Sequence, residues 1–185
     1  MKYLEISKAA FFGESYGGDT VATIAVRYPE LVKRVAVYGA SFGPPQSALN
    51  FETLPSIPPT ADSSYVQFQR ENYQRVAPDP EYWQRIFNKI QSIHWEGFSR
   101  EELDAIKAPL LIMVGDHDFV RLEHAVETFK LIPNAELAVI PNASHYVLFS
   151  GPDKVIPVVK RFLEQPENRV PLAVAGRRYF PGESR

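Results

Sequence analysis

An apolar run, Ala9-Ala10-Phe11-Phe12, stops at Gly13-Glu14-Ser15-Tyr16-Gly17-Gly18, and a helical pattern begins at once. This order predicts a strand, a sharp turn and a helix, with one serine at the apex. A strand that feeds directly into a helix in this way implies an α/β arrangement, because the helix must pack back on the strand. Serine is a weak nucleophile at neutral pH and needs a base within hydrogen-bonding reach. The turn would expose its Oγ to that base, and glycine at positions 13 and 17 would keep side chains out of the bend.

The rest of the chain repeats the alternation in two blocks around a different middle. Val21, Ile24, Ala25 and Tyr28 recur at helical spacing and predict one helix face, ended by Pro29. Arg34 to Tyr38 reads as a second buried strand closed by Gly39, and Leu110 to Val114 as a third ending at Gly115. Leu122, Ala125, Val126 and Phe129 predict another helix, Glu136 to Ile140 a fourth strand, and Val155, Val158, Val159 and Phe162 a closing helix. Pro157 is tolerable there only in the first turn. Continuous apolar strands alternating with amphipathic helices predict a parallel sheet of about four strands, covered on both faces.

The middle opens with a proline-rich stretch (Pro44, Pro45, Pro55, Pro58, Pro59) that cannot continue a sheet. Asp79-Pro80 then starts a helix with Trp83, Ile86, Phe87 and Ile90 on its apolar face, and Ser99-Arg100-Glu101-Glu102 reads as a capping box. The expected organisation is therefore a first core block at 1–42, a helical cap inserted at 43–107, a second core block at 108–165, and a tail at 166–185.

With 185 residues the chain can bury one real core. It has no cysteine, which excludes disulfides, thiolate metal sites and a cysteine nucleophile, and fits a cytoplasmic setting. The net charge is −2 and no basic stripe occurs, so no nucleic-acid partner is expected. The longest apolar runs, such as Pro109 to Val114, cannot span a bilayer, and Met1 to Lys8 lacks the pattern of a leader. Neither H-E-x-x-H nor a phosphate-loop lysine is present, so neither a metal nor an organic cofactor is expected.

A serine nucleophile needs an imidazole, and the imidazole needs a carboxylate to hold its tautomer. Of four histidines, His94 falls in the middle segment and His124 on a sheet-covering helix. His117 and His145 follow predicted strands, where sites in open parallel sheets are built. The carboxylate should come from Gly115-Asp116-His117-Asp118. Asp116 lies nearer the strand and could brace the turn through an Asx hydrogen bond, whereas Asp118 reaches further toward His145.

Four stretches, Gly-Glu-Ser-Tyr-Gly-Gly at 13–18, Val-Gly-Asp-His-Asp at 114–118, Ile-Pro-Asn-Ala-Glu-Leu at 132–137 and Ile-Pro-Asn-Ala-Ser-His at 140–145, resemble the C-terminal part of α/β-hydrolase fold proteins. The resemblance implies Ser15 as nucleophile, Asp118 as the acid and His145 as the base. It also implies the Tyr16 backbone N–H, at the positive start of a helix, as an oxyanion donor. Serine at position 15 argues against the branches that use a carboxylate nucleophile. The expectation is a serine hydrolase forming an acyl-enzyme with a small, apolar ester, thioester or lactone. Trp83, Phe87 and Trp95 are candidates to line its pocket, or they simply pack the cap.

Members of that family carry further strands ahead of the serine turn, including a loop that supplies a second oxyanion donor. Ser15 lies almost at the start of this chain, so Ala9 to Phe12 is expected at a sheet edge guarded only by Lys8. That edge invites self-association or a covering segment, and weakened activity is expected with it. The alternative reading is a catalytically silent hydrolase-like domain that serves in binding.

Overall fold

A computed structural model describes residues 1–52 and 63–165; the tail 166–185 and Pro55, Pro58 and Pro59 lie outside the described residues. Four strands, β1 (Ala9–Glu14), β2 (Val32–Tyr38), β3 (Leu110–His117) and β4 (Ala135–Ser144), pair in parallel in the order β1-β2-β3-β4. The fold is the expected α/β class. Alternation along the strands sorts the core into two clusters. Val35, Val37, Leu110, Ile112 and Val114 face helices α1 (Tyr16–Arg27), α5 (Arg100–Asp104) and α6 (Leu122–Leu131). Ala36, Tyr38, Leu111 and Met113 face α7 (Val147–Ser150) and α8 (Ile156–Leu163). Each fully buried aliphatic side chain contributes about 1.5–3 kcal/mol, so both faces of the sheet are well secured. Among the described residues β1 pairs on one side only, with β2, and Phe11 and Phe12 pack against opposite clusters.

Two helix faces differ from expectation. Tyr28 is exposed and lies beyond α1, because Pro29 drives the preceding residue out of the helical region. On α6 the buried positions are Ala125 and Thr128, while Leu122 and Phe129 are exposed. Ala125 joins the cluster on the sheet, with Leu131 and the buried Ile132 beside it at the C-terminal end of the helix.

Between β2 and β3 the chain forms α2 (Pro45–Ala48), α3 (Ser64–Val76), α4 (Trp83–Gln91) and α5. Asp79 caps a 3-10 turn at Pro80–Tyr82 that leads into α4, and Ser99 and Glu102 form the expected capping box. Leu103 and Ile106, although in the stretch between β2 and β3, belong to the core cluster with α1 and α6.

Candidate active site

Ser15 leaves β1 with φ 53° and ψ −125°, a backbone conformation that L residues rarely adopt. Holding a non-glycine residue there costs about 1–3 kcal/mol and needs firm neighbours. The Ser15 N–H donates to the Tyr38 carbonyl at 2.8 Å, and its carbonyl accepts from the Gly18 and Asp19 amides. A Cβ at Gly13 would lie 2.1 Å from the Gly17 carbonyl oxygen, and one at Gly18 would lie 2.7 Å from Ala40 Cβ. The role expected of Gly17 falls to Gly18, since a Cβ at Gly17 would meet nothing within 4 Å. The tight crossing is that of α1's first turn with β1 and the end of β2, and Gly17 points away from it. Ser15 precedes α1 in the position of a cap, yet its hydroxyl makes no capping hydrogen bond. The Tyr16 N–H is the first of that helix and has no intrahelical acceptor.

The register of β3 and β4 places the second and third residues. Gly115 pairs with Ile140 and His117 with Ser144, so β3 advances two residues while β4 advances four. The surplus forms a bulge in which Asn142 takes a positive φ of 50°. Asp116 braces that bulge, accepting from the Asn142 N–H at 2.9 Å and the Ala143 N–H at 3.0 Å. These two backbone hydrogen bonds hold its carboxyl below the usual carboxylate range. Gly115 makes the bulge possible, because a Cβ there would lie 1.9 Å from the Ala143 carbonyl oxygen.

With His117 opposite Ser144, the next residue of each strand stands beside the other. His145 Nδ1 meets Asp118 Oδ1 at 2.9 Å, with the Asp118 side chain wholly buried and that of His145 5% exposed. With Nδ1 donating, Nε2 is the nitrogen left with a free lone pair. Asp118 Oδ1 also accepts from the Val120 N–H at 3.0 Å. The local Asx hydrogen bond considered for Asp116 is thus made by Asp118, and Asp116 works across strands. Asp118 Oδ2 is buried without a hydrogen-bond partner among the described residues.

The imidazole is held on several sides. Phe119 stacks on its face at 3.8 Å between centroids, and Tyr146 meets its edge at 5.7 Å. Gly39 lies so close that a Cβ would be 2.7 Å from Nδ1 and 3.1 Å from Asp118 Oδ2, and its φ of +59° also favours glycine. The Tyr38 hydroxyl donates to the Ser144 carbonyl at 2.8 Å, tying β2 to the residue before His145. The loop after β3 is pinned from outside by an isolated Leu49–Val120 bridge and by the Asn50 N–H donating to the Phe119 carbonyl at 2.7 Å. Sequence reasoning overlooked Gly39, Gly115 and Phe119. A glycine closing each of two inner apolar runs, Arg34 to Tyr38 and Leu110 to Val114, was the available signal.

The other histidines stand apart. His117 is 71% exposed beside Asp116, and His94 is exposed beside Glu96. His124 contacts the Ser41 carbonyl through Nε2, and burial pushes its pKa down. Among the described residues no group of three or more His, Cys, Asp or Glu could hold a metal ion, and no helix is long and apolar enough to cross a membrane. Trp83 stacks on Phe87 and tilts against Tyr73, within the α3–α4 pair. Trp95 donates through Nε1 to Ser41 Oγ at 3.0 Å and meets Phe98 edge-on. None of the three has a ring contact with His145; Tyr65 of α3 comes closer, tilted against Tyr146 at 5.1 Å.

Residues 2–151 match the family model described as serine aminopeptidase, S33. A protein of Haemophilus influenzae described as an esterase/lipase is 25% identical over 187 residues, covering 89% of this chain and 63% of its own length. A poly(3-hydroxyalkanoate) depolymerase of Ectopseudomonas oleovorans is 26% identical over 190 residues, covering 91% of this chain and 65% of its own. The chain therefore spans just under two thirds of the curated relatives it matches. In structure it is similar to a meta-cleavage product hydrolase of Pseudomonas fluorescens IP01, with TM-score 0.64, 22% identity and coverage of 88% of this chain and 66% of the other.

Proposed function

Because this chain belongs to the α/β-hydrolase fold family, in the group described as serine aminopeptidase S33, we propose that it is a serine hydrolase using Ser15, His145 and Asp118. The observation that carries the reading is the buried Asp118–His145 hydrogen bond, built at the ends of β3 and β4 in the sheet whose β1 presents the uncapped, strained Ser15. Asp118 fixes the tautomer and supports the imidazolium, and His145 Nε2 takes the Ser15 proton as Oγ attacks the substrate carbonyl. The resulting oxyanion faces the Tyr16 N–H at the positive end of the twelve-residue helix α1. Collapse breaks the bond to the leaving oxygen or sulfur, which takes the proton from Nε2 and departs as alcohol or thiol (in a lactone it stays tethered to the acyl chain), while the acyl group remains on Ser15. Water, deprotonated by the same nitrogen, then releases the acid and restores the serine.

The substrate class we propose is a small ester, thioester or lactone with an apolar acyl group. Phe119 and Tyr146 beside His145, with Tyr65 behind Tyr146, supply an aromatic wall suited to it, and Trp83 and Phe87 support α3 and α4 from within. A fluorophosphonate probe tests the reading. Stoichiometric labelling of the folded chain at Ser15, lost in Ser15→Ala, is expected; an inert Ser15 in folded protein overturns it. That outcome would favour a binding domain, a reading supported by the edge of β1, unpaired among the described residues.

A further inference from the structure

Glu14, the residue before Ser15, is absent from the chemistry above, yet its position in the sheet brings it to the same corner. Phe12 packs on the α7–α8 side, and strand alternation places Glu14 on that side too. Its register partner is Tyr38, fully buried in the same cluster, whose hydroxyl holds the Ser144 carbonyl next to His145. Tyr38 thus links the end of β1, with its half-buried Glu14, to the end of β4, where His145 follows Ser144.

We propose that Glu14 is a positioning residue for His145, a second carboxylate of the site that acts through space. Asp118 fixes the orientation of the ring by a hydrogen bond, and Glu14 sets how readily the ring accepts the Ser15 proton. The inference rests on the catalytic reading of Ser15 and His145. An ionised Glu14 favours the imidazolium; replacing it by a neutral group makes His145 a weaker base.

The electrostatics of the corner agree. Burial raises the pKa of Glu14, the His145 cation draws it down, and the Asp118 charge pushes it up. Among the described residues no hydrogen bond to the Glu14 carboxylate enters that balance. The other groups around His145 are accounted for. Asp19 of α1 is within its electrostatic reach but is engaged by the Ser41 and Phe42 amides and the Ser41 hydroxyl. Asp116 acts on Tyr38 while bound to the β4 bulge. Tyr38, Tyr65 and Tyr146 are neutral phenols across the working range, since burial raises all three, Tyr65 to about 12.

The test is the protonation of His145 followed by NMR on the full chain with labelled histidine, beside the pH dependence of fluorophosphonate labelling at Ser15. Glu14→Gln is expected to lower the His145 titration midpoint by about half a pH unit or more, roughly a threefold loss of proton affinity. The acid limb of labelling should move down by the same amount, and its plateau rate should fall severalfold. Glu14→Asp, which keeps the charge and withdraws it by one methylene, should show a smaller shift in the same direction. An unmoved midpoint in folded Glu14→Gln overturns the proposal, and so does an unmoved midpoint in Glu14→Asp should the glutamine variant not fold. If Ser15 of the native chain does not label, the catalytic reading fails by itself, and the NMR midpoint still decides whether Glu14 governs His145.

Discussion

Ser99 and Ser15, like Ser63, each stand at the residue before a helix, and these two are built in opposite ways. Ser99 lies in the extended region (φ −70°, ψ 162°), its hydroxyl accepts from the Glu102 amide, and its own N–H donates to the Glu102 carboxylate. Ser15 is twisted to φ 53° and ψ −125° and leaves the first amides of α1 uncapped. The first arrangement satisfies the helix and removes the hydroxyl from any other use. The second keeps the hydroxyl and the Tyr16 N–H free at the cost of local strain, which neighbouring glycines and the Tyr38 carbonyl must absorb. A capped serine stabilises; an uncapped and strained serine is available for chemistry.

Substitutions at and around the two serines probe this contrast. The largest effect expected is at Ser15 itself, where Ser15→Ala should reduce ester hydrolysis at least about 10⁴-fold. Its thermal unfolding temperature should not fall, because no capping bond is lost; hydrolysis that persists would remove the distinction between the two serines. Next comes the pair of carboxylates. Asp118→Asn should slow turnover by about 10²–10⁴-fold, since the amide can hold Nδ1 only in the wrong tautomer. Asp116→Asn should leave turnover nearly unchanged and lower the unfolding temperature at neutral pH. Its folded pKa is depressed by the Asn142 and Ala143 amides, so its stabilisation is present above the unfolded carboxylate pKa and is lost as pH falls through the folded one. The difference between Asp116→Asn and the native chain should therefore vanish in acid.

Backbone space gives the third test. Gly13→Ala would drive a Cβ to 2.1 Å from the Gly17 carbonyl oxygen, whereas Gly17→Ala meets open space. Gly13→Ala should destabilise by about 3 kcal/mol or more, at the upper range of single substitutions. Gly17→Ala should stay within about 0.5 kcal/mol; equal losses in denaturant melts would contradict the crossing described here. The smallest effects sharpen the contrast most directly. Ser99→Ala should cost about 1 kcal/mol with activity intact. Ser15→Gly should gain about 1 kcal/mol, because glycine enters the twisted conformation without the steric penalty. Loss of stability in Ser15→Gly would show that Ser15 is held by something other than its backbone.

The elbow, the alternation of strands and helices, and the Ser99 capping box were all legible in the order of residues, because each depends on neighbours within a few positions. Largely apolar runs of four or five residues identified every strand of the described sheet, and Gly13-x-Ser15 marked the turn. The strand ends that carry the site were not legible. Asp116, Pro141 and Asn142 are poor strand residues, yet β3 and β4 run through them because pairing of His117 with Ser144 across a bulge holds them there. Which of two aspartates meets His145 is a matter of that register, and a shift of two residues would have put Asp116 in the place of Asp118. Gly39 and Gly115 look like ordinary strand ends until the His145 ring and the Ala143 carbonyl are seen against them. Phe119, Tyr65 and Glu14 likewise reach the imidazole or its neighbours from separate elements, at distances in sequence that no local pattern spans. What the order of residues determined was the set of local pieces and the chemical types they carry. What only the tertiary structure decided was which of those types meet, since contacts between distant segments follow from sheet register and packing rather than from spacing along the chain.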